Sequence, residues 1–212
     1  MSTEPTRDSA ETRTPILRLY LIRHGETAWS LTGQHTGRTD IPLTAHGEDE
    51  ARELRPWLSH IRFSHALTSP LQRARRTRSL AVTEPAADIE PDLVEWDYGA
   101  YEGQCSADVR KGRPGWSVFR DGCPGGEVPS QISLRADRLI TRLRALDGNV
   151  ALFSHGEFGC ALAARWIGLH VVEGQHLSLS TAALGILSYN PVHPEIPMIA
   201  LWNAAPTISA LH

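Results

Sequence analysis

The feature that most constrains the fold of this chain is an apolar run that stops at an arginine and a histidine. Residues 17–22 read Leu-Arg-Leu-Tyr-Leu-Ile, a density of apolar side chains that predicts a strand covered on both faces of a sheet. Arg23, His24 and Gly25 follow at once. Because glycine lets the backbone turn sharply and a ligand approach, we expect Arg23 and His24 at the carboxyl end of a core strand, where open α/β sheets bind their ligands.

The same pattern occurs a second time further along the chain. Residues 150–153, Val-Ala-Leu-Phe, predict another buried strand, and Ser154, His155 and Gly156 follow it. Strands that alternate with helices indicate a sheet with helices on both faces. The sequence therefore predicts the α/β class, as a three-layer α/β/α sandwich with a mostly parallel central sheet. In such a sheet the two histidines can meet in one crevice.

The other elements follow from apolar periodicity and from turn residues. Residues 84–92 contain two prolines and are expected to form a loop or a short edge segment. Helices are predicted after Thr44 and over residues 71–81, 129–146 and 158–167, and further strands over residues 64–68, 183–189 and 198–202.

Three expectations concern particular side chains of these helices. Pro56 lies inside the apolar pattern of the first long helix and should kink or end it near Leu54. Ser69 followed by Pro70 has the pattern of a helix cap with proline at the first helical position. Arg135 is not on the apolar face of its helix, so we expect it to project away from the core, as do three other arginines there.

Composition limits the possible functions. The chain has 212 residues, which suits one domain, predicted over residues 15–212 after a polar, disordered tail at residues 1–14. A net charge of −3 argues against a nucleic-acid or membrane partner, and no apolar run is long enough to span a bilayer. Three cysteines without metal-like spacing favour a reducing compartment, and hence the cytoplasm. Residues 104–128 are rich in glycine and are expected to form a lid-like excursion.

Any anion site must then be local, and four side chains are candidates for it. Arg23, His24 and His155 stand at strand ends, and Arg73 lies in the first turn of a helix, where the helix N-terminus favours anions. Guanidinium groups match phosphate oxygens with a bidentate fork. An alternative stays open for Arg73, which could be one of several solvated arginines on that helix.

Four separated motifs carry a specific resemblance. They are Leu21-Ile22-Arg23-His24-Gly25-Glu26-Thr27, Thr68-Ser69-Pro70-Leu71-Gln72-Arg73-Ala74, Glu95 with Gly99 and Glu102-Gly103, and Ser154-His155-Gly156. In this order they resemble the histidine phosphatase superfamily, to which the cofactor-dependent phosphoglycerate mutases belong. Two shorter stretches, residues 33–40 and 122–127, are similar to the branch of sedoheptulose-1,7-bisphosphatase-like enzymes and actinobacterial acid phosphatases.

The resemblance implies a phosphoglycerate mutase-like fold and a phosphomonoesterase that needs no metal or other cofactor. His24 would attack phosphorus and become phosphohistidine, with its other ring nitrogen donating to a backbone carbonyl. Glu95 would protonate the leaving alkoxide and then activate water, although Asp97 and Glu102 are rivals for this role. Contacts to the phosphate or substrate are expected from Arg23, Arg73, His155, Ser30, Gln34, Thr36 and Gly37.

Hydrolysis of a sugar phosphate or bisphosphate, active at mildly acidic pH, is the preferred interpretation. The interval of 60 residues from Glu95 to His155 is short for a mutase, and Ser30 stands where mutases typically have asparagine. A mutase and a non-catalytic phosphate-binding relative remain as alternatives. The cysteines lack the spacing to an arginine that cysteine phosphatases require, and two arginines beside His24 and His155 disfavour a divalent metal. Exposed apolar residues near the C-terminus leave a homodimer open.

Overall fold

The computed structural model describes residues 16–206 and has a six-stranded sheet at its centre. The strands are β1 Arg18–Arg23, β2 Phe63–Thr68, β3 Ala87–Ile89, β4 Asn149–Ser154, β5 Leu184–Tyr189 and β6 Pro197–Ala204. Their order is β3-β2-β4-β1-β5-β6. The first four strands in this order are parallel, and β5 and β6 are antiparallel to their neighbours. The tail predicted at residues 1–14 lies outside the described residues.

Seven α-helices connect the strands in the described part of the chain. They are α1 Ala28–Thr32, α2 Ala45–Leu58, α3 Gln72–Ala81, α4 Ser106–Gly112, α5 Val118–Asp121, α6 Pro129–Leu143 and α7 Gly156–Trp166. Short 3₁₀ turns cover Pro91–Leu93, Gly99–Tyr101 and Val171–His176. No helix among residues 16–206 is both long and apolar enough to cross a bilayer.

The helices form a layer on each face of the sheet, as the sequence predicts. Because side chains alternate along a strand, Tyr20 and Ile22 of β1 pack with apolar residues of α2 and α3 on one face. Leu19 and Leu21 pack on the other face, in a core that includes α6, α7 and parts of residues 104–128. The three-layer α/β/α architecture is therefore confirmed. The segment predicted as a lid-like excursion contains α4 and α5 and contributes side chains to this core.

The register of the three central strands brings their carboxyl ends together. Arg23 of β1 lies opposite Ser154 of β4, and Thr68 of β2 lies opposite Phe153. The His24 amide then donates to the Ser154 carbonyl at 3.1 Å. The residues that follow these strands therefore share one edge of the sheet, where a ligand site was expected.

Two helix ends differ from the prediction. Pro56 does not end α2, which continues to Leu58. Pro56 is exposed, so water can satisfy the carbonyl it leaves free, while Leu58 is buried and keeps the last turn on the sheet. Ser69 is not the cap of α3, because the cap is Leu71 and the helix begins at Gln72.

Arg135 is the third difference. Its side chain does not project into solvent: the residue is only 7% exposed and lies between α6 and the segment that carries Glu95. Arg138 and Arg142, one and two turns further along α6, do lie at the surface, and both pair with Asp92. Helical periodicity alone did not distinguish these three side chains.

Candidate active site

His24 is held as a neutral imidazole with one nitrogen free. The residue is buried, and its Nδ1–H donates to the Gly25 carbonyl at 2.7 Å. Burial, then the charges of Arg73 and Arg23, lower the pKa of His24 well below its usual value. The hydrogen bond at Nδ1 therefore leaves the Nε2 lone pair available as a nucleophile.

His155 is held in the opposite tautomer, with its ring centroid 5.2 Å from that of His24. Arg73 Nε donates to His155 Nδ1 at 3.2 Å, so the ring proton belongs on Nε2, which lies 2.8 Å from Ser69 Oγ. Burial, then the charges of Arg73 and His24, lower the pKa of His155 well below its usual value. His24 thus presents a lone pair, and His155 gives its N–H to Ser69, whose hydroxyl proton can donate further.

The two arginines are placed differently. Arg23 NH1 donates to the Leu179 carbonyl at 2.6 Å, and its buried Nε has no partner among the described residues. Arg73 is fully buried, which excludes the solvated alternative. Besides the bond to His155, its NH1 donates to one loop carbonyl and its NH2 to two others, at Thr39, Thr36 and Gly37. Arg23 therefore has free donors for an anion, whereas Arg73 keeps one N–H and mainly organises the site.

Glu95 is the buried carboxyl of the site. It is 4% exposed, and its oxygens accept from the backbone N–H groups of Trp96 at 2.8 Å, Phe158 at 2.8 Å and Glu157 at 3.1 Å. Burial, and then the negative charge of Glu157, raise the pKa of Glu95 to about 7 despite these donors. A carboxyl of this kind can both donate and accept a proton near neutral pH.

The two rival carboxylates have other partners. Asp97 pairs with Arg38 at 3.2 Å. Glu102 accepts from the backbone N–H groups of Gly37 at 2.8 Å and Thr39 at 3.0 Å. Both of these carboxylates support the loop that follows α1, so Glu95 keeps the better position for proton transfer.

Two cavities adjoin the site and share Glu157 and Phe119 in their walls. One, of about 300 Å³, is bounded by Arg23 and the start of α7. The other, of about 450 Å³, extends from Glu157 to His35 and Arg110. Glu157 also faces Tyr98, whose hydroxyl donates to it.

Comparison with known proteins identifies the family. A model of the histidine phosphatase superfamily (branch 1) matches residues 19–203. The chain belongs to this superfamily. An acid phosphatase of Mycobacterium tuberculosis is 35% identical over 197 residues, covering 91% of this chain and 97% of the relative. A sedoheptulose 1,7-bisphosphatase of Saccharomyces cerevisiae is 31% identical, covering 91% and 94%.

A solved structure gives the same result for the fold. The product of an open reading frame of Mycobacterium tuberculosis superposes with a TM-score of 0.84 at 34% identity, covering 90% of this chain and 98% of that one. The histidine phosphatase family, its α/β fold and the phosphoric monoester hydrolase class predicted from the sequence are therefore confirmed.

The other residues predicted to contact the substrate are partly engaged in hydrogen bonds within the protein. Thr36 and Gly37 reach the site through their carbonyls, which accept from Arg73. Ser30 Oγ is used in the capping box of α1, and Gln34 Nε2 donates to the Gly103 carbonyl at 2.8 Å. Substrate contacts by these side chains stay predictions.

Four residues near the reacting groups were missed as functional candidates: Ser69, Tyr98, Glu157 and Arg135. Ser69 had a usable signal, because it follows a central strand as His24 and His155 do. Glu157 had a usable signal too, because it directly follows the His155-Gly156 motif. Tyr98 and Arg135 had no signal in the sequence, since only the packing of distant segments brings them to Glu95. In the described part of the chain, no cluster of three His, Cys, Asp or Glu side chains has the geometry of a metal site.

Proposed function

We propose that this member of the histidine phosphatase superfamily hydrolyses a small sugar phosphate or sugar bisphosphate through a phosphohistidine on His24. The observation that carries the proposal is the pair of opposite tautomers. His24 presents a lone pair beside Arg23, while His155 donates its Nε2–H to Ser69, whose own hydroxyl proton can donate to an anion. This arrangement suits a phosphoryl group that is attacked on one side and bound on the others.

The first step forms the covalent intermediate. The Nε2 lone pair of His24 attacks phosphorus, the P–O bond to the sugar breaks, and Glu95 gives its proton to the leaving oxygen. Donors on Arg23 and the charge of Arg73 stabilise the transferring phosphoryl oxygens. His155 acts through Ser69: its Nε2–H donates to Ser69 Oγ, which turns the Ser69 hydroxyl proton toward the phosphoryl oxygens.

The second step restores the enzyme. Glu95 is now a carboxylate and takes a proton from water, whose oxygen attacks phosphorus and displaces His24 Nε2. Phosphate leaves, and Glu95 is again protonated. The raised pKa of Glu95, at about 7, suits both transfers.

The substrate class is supported by the relatives and by the larger cavity. Of the basic residues in the predicted lid, Lys111 pairs with Asp108 at 2.7 Å and Arg120 with Asp121 at 3.0 Å. Arg110 has no ion pair among the described residues, and its Nε is anchored on the Trp116 carbonyl at 2.9 Å. Arg110 lines the cavity beyond Glu157. Arg110 would therefore receive a second phosphate of a bisphosphate substrate.

A cytoplasmic location is part of the proposal. All three cysteines, Cys105, Cys123 and Cys160, are free, which suits a reducing compartment. Burial raises the pKa of the Cys123 thiol to about 12, which makes it unreactive. A homodimer stays a prediction.

The test is hydrolysis of a panel of sugar monophosphates and bisphosphates by the wild-type protein and by His24→Ala, with a chelator present. We expect the wild type to release phosphate and His24→Ala to lose at least about 10³-fold of that activity, because the covalent route is gone. Equal phosphate release by both proteins would overturn the proposal, and so would wild-type activity that disappears with the chelator.

A further inference from the structure

Glu95 lies on a segment without regular secondary structure, between the turns at Pro91–Leu93 and Gly99–Tyr101. A carboxyl that moves a proton must be held to within a few tenths of an ångström. A loop does not supply that precision by itself, so other side chains must hold the segment.

Arg135 of α6 reaches into this segment and binds its backbone at three points. Its NH1 donates to the Asp92 carbonyl at 2.9 Å and to the Val94 carbonyl at 2.7 Å, and its NH2 donates to the Glu95 carbonyl at 3.3 Å. The guanidinium therefore bridges the residues that lead into Glu95.

Glu127 completes the arrangement from the other side. Arg135 Nε donates to Glu127 Oε1 at 3.0 Å, and NH2 donates to Oε2 at 2.8 Å, so the pair is bidentate. Glu127 Oε2 also accepts from the Asp97 amide at 2.9 Å, and its carbonyl accepts from Trp96 Nε1 at 2.9 Å. The pair thus binds the chain before and after Glu95.

The same guanidinium supports the other group that holds the Glu95 carboxyl. It stacks on the Phe158 ring, with Cζ 4.0 Å from the ring centroid. The amide of Phe158 donates to Glu95 Oε1 at 2.8 Å. Arg135 therefore contacts both the backbone of Glu95 and the residue that orients its carboxyl.

We propose that Arg135, together with Glu127, is a positioning residue that holds the Glu95 carboxyl where it can protonate the leaving group. This inference rests on the proposed function of Glu95. The pair acts through the Glu95 segment, with no direct role on the substrate. Lysine cannot replace the planar fork, because it lacks the donors to span the carbonyls and the carboxylate together.

The experiment compares two substrates that differ in their need for a general acid. A sugar phosphate expels an alkoxide and needs the Glu95 proton, whereas p-nitrophenyl phosphate expels a stable phenolate without it. We expect Glu127→Gln and Arg135→Lys to lower kcat/KM by about 10- to 100-fold for the sugar phosphate and by less than about 3-fold for p-nitrophenyl phosphate. Glu95→Gln should show the same selectivity more strongly.

Arg138→Gln is the matched control, since Arg138 lies on the same helix and pairs with the same segment through Asp92, but at the surface. It should leave both substrates within about 2-fold of the wild type. An equal loss for both substrates in Glu127→Gln or Arg135→Lys would show a merely structural pair, and no loss for either would show that the pair does not act on Glu95. Either result would overturn the inference.

The two failures are distinguishable. If His24→Ala hydrolyses both substrates as well as the wild type does, the proposed function fails and the positioning role fails with it. If activity depends on His24 but the variants show no difference between substrates, only the positioning role is lost. Circular dichroism of each variant checks that it folds, and Glu127→Gln, which keeps the shape of the side chain, serves where Arg135→Lys does not fold.

Discussion

At the scale of single residues, the reaction depends on where protons lie before substrate arrives. The hydrogen bond to Gly25 fixes the proton of His24, and Arg73 fixes that of His155. Burial beside a second carboxylate, Glu157, raises the pKa of Glu95 to about 7, so this carboxyl keeps its proton at mildly acidic pH. Each of these states follows from contacts with groups elsewhere in the chain, and each can be tested by pH.

The pH dependence of kcat/KM should report Glu95. The protonated form is the general acid, so kcat/KM for a sugar phosphate should fall as pH rises through about 7. Glu157→Gln removes the neighbouring negative charge that raises the pKa of Glu95, so this fall should begin at a lower pH. The measurement is a pH–rate profile of both proteins on the same substrate, in which the ionisation of the substrate cancels.

Glu173→Gln is the control for this profile, because Glu173 is a partly exposed carboxylate that lies beside His176 on the 3₁₀ turn at Val171–His176. It should leave the profile unchanged. A Glu157→Gln profile that coincides with that of the wild type would show that Glu157 does not act on Glu95.

Much of the site was predictable at this scale, because it is written in local motifs. The two His-Gly dipeptides at strand ends gave His24 and His155, and the family motifs gave Arg73 and Glu95. The periodicity of α6 predicts that Arg135 projects away from the core, because it considers only the residues of that helix. Its partners Asp92, Val94 and Glu127 lie on segments that the fold alone brings to it.

At the scale of elements, the first turn of α2 packs closely against the segment that follows His24, and a glycine on each side permits the contact. A Cβ at Gly25 would lie 2.1 Å from the Gly47 carbonyl oxygen, and a Cβ at Gly47 would lie 2.1 Å from the Glu26 carbonyl oxygen. From the sequence, Gly25 was expected to allow a sharp turn or the approach of a ligand. The structure shows that it leaves room for the backbone of the first turn of α2. Sequence patterns cannot show which helix approaches a glycine.

Gly47→Ala should therefore separate α2 from the segment that follows His24. We expect the free energy of unfolding to fall by about 1–3 kcal/mol, as for other overpacked sites, with a loss of activity because the His24–Gly25 backbone shifts. Urea denaturation followed by circular dichroism measures the first effect.

Gly112→Ala is the matched control, since a Cβ there meets nothing within 4 Å at the end of α4. Its stability should equal or slightly exceed that of the wild type. Gly47→Ala with wild-type stability would contradict this account of the contact.

At the scale of the whole molecule, the sheet order joins parts of the chain that are far apart in sequence. β4 lies between β1 and β2, so residues 24, 69 and 155 meet at one edge. Alternating strands and helices predicted the class of fold, and the motifs predicted which strand ends matter. The order of the strands and the way residues 104–128 pack on the core were not predictable, because these depend on the complementarity of buried surfaces.

Burying two neutral histidines in this edge should make the whole fold sensitive to acid. The pKa of His24 is lowered in the folded protein, whereas in the unfolded chain it is about 6.5. Below that pH the unfolded chain binds a proton that the folded protein does not, so stability falls as pH falls. His24→Asn should reduce this dependence between about pH 6.5 and 5 by up to about 1.4 kcal/mol per pH unit.

The measurement is the free energy of unfolding in urea at several pH values for both proteins. His60→Asn serves as control, because His60 is exposed at the end of α2. If the free energy of unfolding changes with pH in the same way for the wild type and His24→Asn, then His24 binds its proton equally well in the folded and unfolded states.

The central claim is that phosphorus is transferred to His24, and trapping the intermediate tests it most directly. In Glu95→Gln, p-nitrophenyl phosphate can still phosphorylate His24, but the water that should cleave the intermediate lacks its base, so phosphohistidine should accumulate. After an alkaline quench, mass spectrometry should find an acid-labile phosphate on His24 and none in the double variant with His24→Ala. Phosphate on another residue, or turnover by the wild type with no phosphorylated protein in either form, would contradict the account.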